Sequence, residues 1–209
     1  MANVKISALP SASTPLAGTE LLEIVQGGSS TSVAASAIGN SATAMPFASL
    51  AGRAYGSFCD ITDQTGSTTA GTAVKFGTNI ISGHGISITT NGGGSYTRIT
   101  FTDAGTYMIC PNLQFYNSGA AGHNVLIWLV KNGTNIANSA TKITVPKLAD
   151  GGNNFFQILF YETVTAGQYI EVFWSPDDTA VTIDYTAAAA GPPSVPAIPS
   201  AIVVAERIA

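Results

Sequence analysis

Apolar and polar residues alternate in short runs along the last three quarters of the chain, and turn residues separate the runs. In Tyr96–Phe101 the alternation places Thr97, Ile99 and Phe101 on one face of a strand, because successive side chains of a strand point to opposite faces. The run Thr106–Tyr116 alternates in the same way. About eight to ten such strands without a long amphipathic helix predict an all-β fold, a jelly-roll β-sandwich.

Three runs are apolar at nearly every position: Val125–Val130, Phe155–Tyr161 and Tyr169–Trp174. One face of a strand in an antiparallel sandwich meets the opposite sheet, so the second apolar face needs another partner. Large apolar patches are rarely left exposed on monomers. The pattern therefore predicts oligomerisation, for which closed cyclic symmetry is the usual solution.

The sequence closes with a predicted strand, Ile202–Ile208, that is mostly apolar on both faces. The preceding stretch, Pro192–Pro199, contains four prolines. Because proline has no N–H to give to a sheet, we expect this stretch to be extended, irregular and rigid. One face of the last strand should meet the opposite sheet, and the other should lie near a neighbouring subunit.

The first 51 residues have a different composition, with no aromatic residue before Phe47 and many Ser, Ala, Thr and Gly residues. Within them, Glu20–Gln26 predicts a strand, Gly27–Ser30 a turn and Thr31–Ala34 the returning strand of a β-hairpin. A segment this small buries too little apolar surface to be stable alone. We therefore expect it to be held either by its own trimer or by a larger partner.

Charge and hydropathy exclude several classes of function. Charged residues make up 10% of the chain, against about a quarter in ordinary proteins, and the net charge is −4. The basic residues form no stripe that would bind nucleic acid. No apolar run approaches the roughly 18 residues needed to span a bilayer. Met1–Lys5 is not followed by the apolar region of a signal peptide. The surface must be built from uncharged polar residues, which suits extensive protein contact.

The cysteines and histidines offer weak chemical signals. Cys59 and Cys110 lie in separate candidate strands that are able to face each other, and the sequence leaves open whether they pair; two buried, reduced thiols are the simpler interpretation. His84 and His123 lie among glycines, without identifiable partners for a general base or a metal. We interpret both histidines as exposed loop residues.

Acidic residues also admit a simple interpretation. Asp177 and Asp178 follow Ser-Pro and offer oxygens to a calcium ion, but their spacing matches no dedicated calcium loop. An acidic turn that caps its own backbone is the simpler alternative, and the same holds for Asp60 and Asp63.

Aromatic residues in the candidate strands are able either to stack on sugars or to pack in the core and at an interface, which is the more common use. The few acids form no pair suited to glycoside hydrolysis. We therefore predict no enzyme activity and no catalytic, cofactor-binding or metal-binding residues. The aromatic residues concerned are Tyr116, Tyr161, Tyr169, Trp128 and Trp174.

Three stretches resemble the C1q/TNF-like jelly roll: Ile99–Tyr107 with its Gly-x-Tyr, Trp128–Gly133 with its Lys-Asn-Gly hairpin, and Val164–Val172. In the third stretch Gln168 stands where the family usually has Asp. The resemblance extends from about Tyr55 to the end of the sequence. It implies a compact homotrimer in which apolar strand faces meet along a threefold axis.

The N-terminal segment resembles the opening of many tailed-bacteriophage virion proteins. Val4–Pro10 is similar to their Lys-Ile-Ser-x-Leu-Pro, and Leu16–Gly28 to their Gly-x-Glu-Leu followed by Val-Gln-x-Gly. The Ala-Ile-Pro-Ser at Ala197–Ser200 looks like the end of phage jelly-roll modules. These resemblances imply an accessory virion protein whose N-terminal segment docks on the particle.

The residues and resemblances together give two hypotheses. The first is a non-enzymatic structural protein on the exterior of the virion, assembled in the host cytoplasm. Residues 1–51 anchor it to capsid or tail proteins and residues 52–209 form a trimeric jelly roll, as in a capsid decoration (cement) or head-fibre protein. The alternative is a tail-fibre tip that recognises host surface glycan or protein through loops near His84, Gly119–His123 and Gly151–Asn154. Neither hypothesis involves a cofactor, nucleic acid or a membrane.

Overall fold

A computed structural model of the chain describes residues 21–26, 29–34 and 53–209. The chain divides into two compact units, residues 1–52 and residues 53–209. The first unit contains an antiparallel hairpin of β1 (Leu21–Gln26) and β2 (Ser29–Ala34). The predicted hairpin is therefore present, with a returning strand that begins two residues earlier than expected. The attachment of residues 1–51 to a particle stays a prediction.

The second unit consists of two antiparallel sheets of short strands. In chain order these strands are β3 (Tyr55–Asp60), β4 (Gln64–Thr65), β5 (Thr72–Ala73), β6 (Thr78–His84), β7 (Ile86–Thr90), β8 (Tyr96–Phe101), β9 (Gly105–Asn117), β10 (His123–Lys131), β11 (Thr134–Asn135), β12 (Thr141–Val145), β13 (Asn153–Gln157), β14 (Phe160–Val164), β15 (Tyr169–Pro176), β16 (Val181–Ile183) and β17 (Ala201–Arg207).

Several short strands lie end to end, so each sheet has five positions. In the first sheet the order is β6, then β3 with β4, then β17 with β16, then β9, then β13 with β14. In the second sheet the order is β7, then β8 with β5, then β15, then β10, then β12 with β11. The last strand, β17, pairs with both β3 and β9. This arrangement confirms the predicted jelly-roll sandwich.

The core lies between the two sheets and follows the predicted alternation. Ile99 and Phe101 of β8 are fully buried, and so are the inward side chains of β9, including Tyr107 and Phe115. The Phe115 ring lies 5.7 Å from that of Trp174 in the opposite sheet. Aromatic pairs at this spacing hold the two sheets together beyond their buried area.

The second apolar faces are only partly left for a partner, which corrects the two-sided interpretation of β10 and β15. The outward side chains Trp128 and Phe173 pack against each other, with ring centroids 5.9 Å apart. The loop before β5 reaches them, because a Cβ built on Gly71 would lie 2.5 Å from Trp128 and 2.7 Å from Phe173. The chain thus covers much of this face itself. The third apolar run is also broken between β13 and β14 at Ile158–Leu159.

The proline-rich lead-in to β17 is more regular than expected. Residues 185–199, which we name the projecting arm, leave β16 and return to β17. Thr186 and Ile198 exchange two backbone hydrogen bonds, and so do Ala189 and Val195. The irregular stretch predicted from the prolines is therefore one side of a hairpin-like arm.

Helical structure contributes little to the described residues. Across residues 53–209 and the hairpin, the helical element is the 3₁₀ helix Leu148–Asp150. Within the same ranges, no helix has the length and hydropathy needed to cross a bilayer.

Candidate assembly surface

The outer face of the first sheet forms a broad surface that turns away from the core. Strand register decides which residues lie on it, because paired residues of neighbouring strands share a face. Val204 of β17, for example, lies between Cys110 of β9 and Ser57 of β3. We name this face the assembly surface. Its members are Tyr55, Ser57 and Cys59 of β3; Thr106, Met108, Cys110, Asn112, Gln114 and Tyr116 of β9; Asn153, Phe155 and Gln157 of β13; Tyr161 and Thr163 of β14; and Ile202, Val204 and Glu206 of β17.

The assembly surface is almost free of charge. Among the described strand residues that form it, Glu206 carries the one charged side chain, and Arg53 Nη1 lies 3.5 Å from its carboxylate. This ion pair lies beside Tyr55, at the end of the sheet that is farthest from Tyr116. Covering the centre of the surface therefore desolvates no charged group. Depletion of charge is what distinguishes the centre of protein interfaces from other surface.

Uncharged amides form a hydrogen-bonded row at the centre of the surface. Gln157 Nε2 donates to Asn112 Oδ1 at 2.7 Å, and Asn112 Nδ2 donates to the carbonyl oxygen of Cys110 at 3.1 Å. These bonds fix the amide orientations before any partner arrives. A preorganised polar row loses less side-chain entropy when a partner covers it.

Large apolar side chains lie on both sides of this amide row. Tyr161 and Phe155 are 58% and 50% exposed on the β13–β14 side, with Leu159 between the two strands. Val204 and Ile202 lie on the other side, in β17. An exposed patch with aromatic and aliphatic groups around a polar centre is typical of a surface that another protein covers.

The two cysteines lie on this face but do not pair. Both are free thiols, Cys59 in β3 and Cys110 in β9, with β17 between them. Strands are about 4.8 Å apart, so their Cα atoms are separated by about 10 Å, beyond the roughly 7 Å limit for a disulfide. Burial, and after it the negative charge of Asp60, raises the pKa of the Cys59 thiol.

A second candidate site lies at one end of the sandwich, where loops from both sheets converge. We name it the end-loop cluster: residues 117–124, 147–153 and 177–180. The Asn117 side chain is buried, and its Nδ2 donates to the carbonyl oxygens of Ala121 at 2.8 Å and Pro146 at 3.0 Å. Its Oδ1 accepts from Gly119 N at 2.8 Å. One amide thus ties the loop after β9 to Pro146, immediately before the second segment of the cluster.

Asp177 and His123 form the charged part of the end-loop cluster. Asp177 accepts hydrogen bonds from His123 Nδ1 at 3.0 Å, from Asn124 N at 3.0 Å and from Asn124 Nδ2 at 3.1 Å. Partial burial alone raises the pKa of Asp177, but the hydrogen bonds from Asn124 and His123 outweigh it and hold the pKa below its ordinary value. His123 is therefore held in place by an ionised Asp177 and is mostly buried, which corrects its interpretation as an exposed loop residue.

Asp178 and Asp60 cap their own turns as expected, whereas Asp63 accepts from a distant segment, which corrects its interpretation as a local cap. Asp178 Oδ1 accepts from Ala180 N at 2.8 Å, and Asp63 Oδ1 from Tyr185 N at 2.8 Å. Asp60 is buried and accepts from Thr62 N at 2.9 Å. In the part of the chain that the structure describes, no group of three or more His, Cys, Asp or Glu side chains is placed to hold a metal ion.

The structure separates several residues that sequence reasoning grouped as candidate recognition sites. His84 ends β6 rather than lying in a loop, and its ring stacks on Tyr55, with centroids 6.3 Å apart. Tyr55 lies level with Met108 across β17, whereas the end-loop cluster begins at Asn117. Nine residues of β9 at about 3.4 Å each separate the two ends by roughly 30 Å. The loops Gly119–His123 and Gly151–Asn154 do converge, but without His84.

The five aromatic candidates for sugar stacking are also dispersed. Trp174 is fully buried in the core. Trp128 and Tyr169 lie on the outer face of the second sheet, where Trp128 Nε1 donates to Asn135 Oδ1 and the Tyr169 ring lies 4.2 Å below the Arg98 guanidinium. Tyr116 and Tyr161 belong to the assembly surface. These side chains form no common platform.

One shallow depression borders the end-loop cluster. Its volume is about 210 Å³, and its polar lining beside Leu126 comes from Thr68, Asn124, Lys142, Ser175 and Asp177. Pockets for small ligands are usually about 300–1,000 Å³ and enclosed. The depression is too small and too open for such a ligand, so it fits at most one edge of a larger partner.

Sequence reasoning missed the polar centre of the assembly surface. Asn112, Gln114 and Gln157 look like ordinary outward residues of half-buried strands. Only the pairing of β13 with β9 brings Gln157 against Asn112. The low charge of the whole chain was the one signal that pointed to them.

Comparisons with known proteins add a likeness of fold. No family model matches the chain, and no curated protein matches it. Solved structures of murine APRIL at pH 8.5, pH 5.0 and pH 8.0 are similar over 75% of this chain and 99% of theirs, at 10%, 9% and 8% identity and TM-scores of 0.44, 0.46 and 0.45. A likeness at this level says nothing about what the present chain binds.

Proposed function

We propose that this chain is a non-enzymatic structural protein that assembles into a homotrimer through its assembly surface. The observation that carries the proposal is the uncharged outer face of the first sheet, with exposed Phe155, Tyr161 and Val204 around a hydrogen-bonded amide row. Covering this face removes apolar area from water at about 25 cal/mol per Å² without desolvating an unpaired charge. A second copy of the chain offers a surface of the same uncharged character.

The proposal that the assembly has three subunits rests on the C1q/TNF-like motifs of the sequence. Three chains of 21.3 kDa give a mass of about 64 kDa. Light scattering on the purified full chain at micromolar concentration tests this mass directly. A mass of one chain would overturn self-assembly, and a stable dimer would overturn the trimer.

The proposed location is the exterior of a bacteriophage particle, as a capsid decoration (cement) or head-fibre protein. The support is the similarity of Val4–Pro10 and Leu16–Gly28 to the opening of phage virion proteins. Residues 1–51 would bind capsid or tail proteins during assembly in the host cytoplasm. Deleting residues 2–40 should leave a folded trimer that no longer binds particles. Full occupancy by the truncated protein would contradict this anchor.

A second candidate function is a receptor-binding module for host surface glycan or protein. It is favoured by the end-loop cluster, where two of the proposed recognition loops converge on Asn117: its side chain bonds Gly119 and Ala121, and its backbone N donates to Gly152 O at 2.7 Å. Fluorescently labelled trimer should then bind host cells. The variant Asp177→Ala should bind less, because His123 and Asn124 lose their common acceptor. If the trimer does not bind cells and is present in many copies across the particle, decoration of the capsid would be favoured instead.

A further inference from the structure

The projecting arm interrupts a single strand line of the first sheet. β16 and β17 both pair with the same edge of β9, at Ile183–Phe115 and Ala201–Leu113. Between these pairs, Gln114 N donates to Ser200 O and Gln114 O accepts from Asp184 N. Two halves of one strand therefore meet at Gln114, and the fifteen residues of the arm (185–199) leave the sheet there.

The arm is ordered by its own hydrogen bonds and by its base. The two exchanged pairs of backbone hydrogen bonds, Thr186 with Ile198 and Ala189 with Val195, have N–O distances of 2.8–3.0 Å. At the base, Tyr185 N donates to Asp63 Oδ1 at 2.8 Å and Ser200 N to Asp60 O at 3.0 Å. The prolines of the arm further restrict its backbone. A preformed arm loses little conformational entropy when it binds.

The arm is exposed although it is apolar. Every residue from 186 to 196 is exposed, and no charged residue occurs between Asp184 and Glu206. Val195 and Ile198 are exposed together with a run of alanines and prolines. Solvated loops are usually polar, so an ordered apolar arm indicates a partner.

The direction of the arm indicates which surface it meets. The inner side of β16 and β17 is filled by the core, since Val181, Ile183, Ala201 and Val203 are buried. The arm therefore leaves on the outer side, where it is continuous with the assembly surface through Ile202 and Val204. The arm is uncharged, and the one ion pair that the described residues place on the surface, Arg53 with Glu206, lies at its far end, so contact at the centre desolvates no ion.

We propose that the projecting arm lies on the assembly surface of a neighbouring copy of this chain. This inference rests on the proposed self-assembly. In a homotrimer this contact is heterologous, because the arm of each copy lies on the surface of the next copy and is not exchanged within a pair. Such contacts close into a ring when the rotation between copies allows it, and they use every arm and every surface once.

The first test shortens the arm in the full chain. Replacing residues 187–197 by Asn-Gly joins the paired residues Thr186 and Ile198 through a two-residue turn and leaves the sheet intact. A dilution series followed by mass photometry should show dissociation at a concentration at least tenfold higher than for the unchanged chain. Near-UV circular dichroism of the buried Trp174 confirms folding. Leu126→Glu, an exposed position on the second sheet, is the matched control and should dissociate as the unchanged chain does.

The outcomes separate this inference from the proposed function. If the unchanged chain is a monomer, self-assembly itself is overturned. If the unchanged chain and the arm-shortened variant are both trimers with the same dissociation concentration, only the role of the arm is overturned.

The second test locates the arm and does not depend on the shortened variant folding. Benzoylphenylalanine in place of Val195 is photo-crosslinked in a mixture of ¹⁴N- and ¹⁵N-labelled chains. We expect mixed-isotope crosslinks between residue 195 and peptides from residues 108–116 or 153–163. The same probe at Leu126 should give none. Crosslinks within one chain, to residues outside the assembly surface or to another particle protein would overturn the inference.

Discussion

The substitution Val204→Glu tests the assembly surface most directly. Val204 lies between Cys110 and Ser57 at the centre of the surface and is 37% exposed in the single chain. Its side chain points away from the core, so glutamate there should leave the isolated jelly roll folded. Exposed strand substitutions of this kind usually change stability by about 1 kcal/mol or less.

The cost to assembly is much larger. Burying the remaining third of a valine side chain is worth about 0.7 kcal/mol, taking roughly 2 kcal/mol for the whole side chain. Burying an unpaired carboxylate costs several kcal/mol more, since the one cation that the described residues place on the surface, Arg53, is already paired with Glu206. A total of about 3–4 kcal/mol for each interface raises the dissociation constant more than 100-fold.

Sedimentation equilibrium between 0.1 and 50 μM, a range of about three decades, measures this effect. We expect the unchanged chain and Leu126→Glu to stay near 64 kDa, about three chains, while Val204→Glu sediments near the 21.3 kDa of one chain. If Val204→Glu keeps the mass and dissociation concentration of Leu126→Glu, the outer face of the first sheet is not the assembly surface.

Three further predictions concern the stability at acidic pH, the reactivity of the two thiols and the loop that covers the second sheet. Because the folded pKa of Asp177 lies below its unfolded value, its contribution is present at neutral pH and is lost as pH falls through the folded pKa. The thermal stability of Asp177→Asn should therefore differ from that of the unchanged chain by about 1 kcal/mol or less at pH 7, and the difference should shrink as pH falls through the folded pKa of Asp177; a constant difference would refute the assignment. Maleimide should modify Cys110 in the monomeric Val204→Glu variant but not in the trimer, and it should modify the buried Cys59 in neither protein, as measured by intact mass. Equal labelling of Cys110 in both proteins would contradict its place in the interface. Gly71→Ala should cost about 1–3 kcal/mol in urea unfolding, because its Cβ would meet Trp128 at 2.5 Å, whereas Gly92→Ala, with nothing within 4 Å, should cost much less; equal costs would mean that the loop does not cover this face.

Alternation along the sequence was sufficient for the strands whose inner faces are apolar. Thr97, Ile99 and Phe101 are all buried as expected, and so are the inward residues of β9. Edge strands carry a weaker signal. β6 (Thr78–His84) was missed because most of its described residues are exposed, and β12 (Thr141–Val145) because it is short and only Val145 is buried in it, so selection for apolar residues is weak there.

The surfaces of the molecule were harder to predict, because they depend on pairing between distant segments. Trp128 and Phe173 were expected to need a partner chain, but the glycine-rich loop from residue 66 to residue 71 comes close enough to cover them. The amide of Gln157 meets Asn112 only after β13 pairs with β9, 45 residues away in the sequence. No local sequence pattern predicts such a contact.

The place of β17 between β3 and β9 also affects how this protein is made. Phe58 pairs with Val203, which the ribosome adds about 145 residues later. At 5–20 residues per second, the edge of β3 waits roughly 7–30 s for this strand, and the edge of β9, where Leu113 precedes its partner Ala201 by 88 residues, waits roughly 4–18 s. During that interval two unpaired strand edges are available to other nascent chains, since open edges template intermolecular pairing. Chains translated side by side on one messenger RNA therefore meet while these edges are open, and slowing translation between β9 and β17 should raise the misassembled fraction.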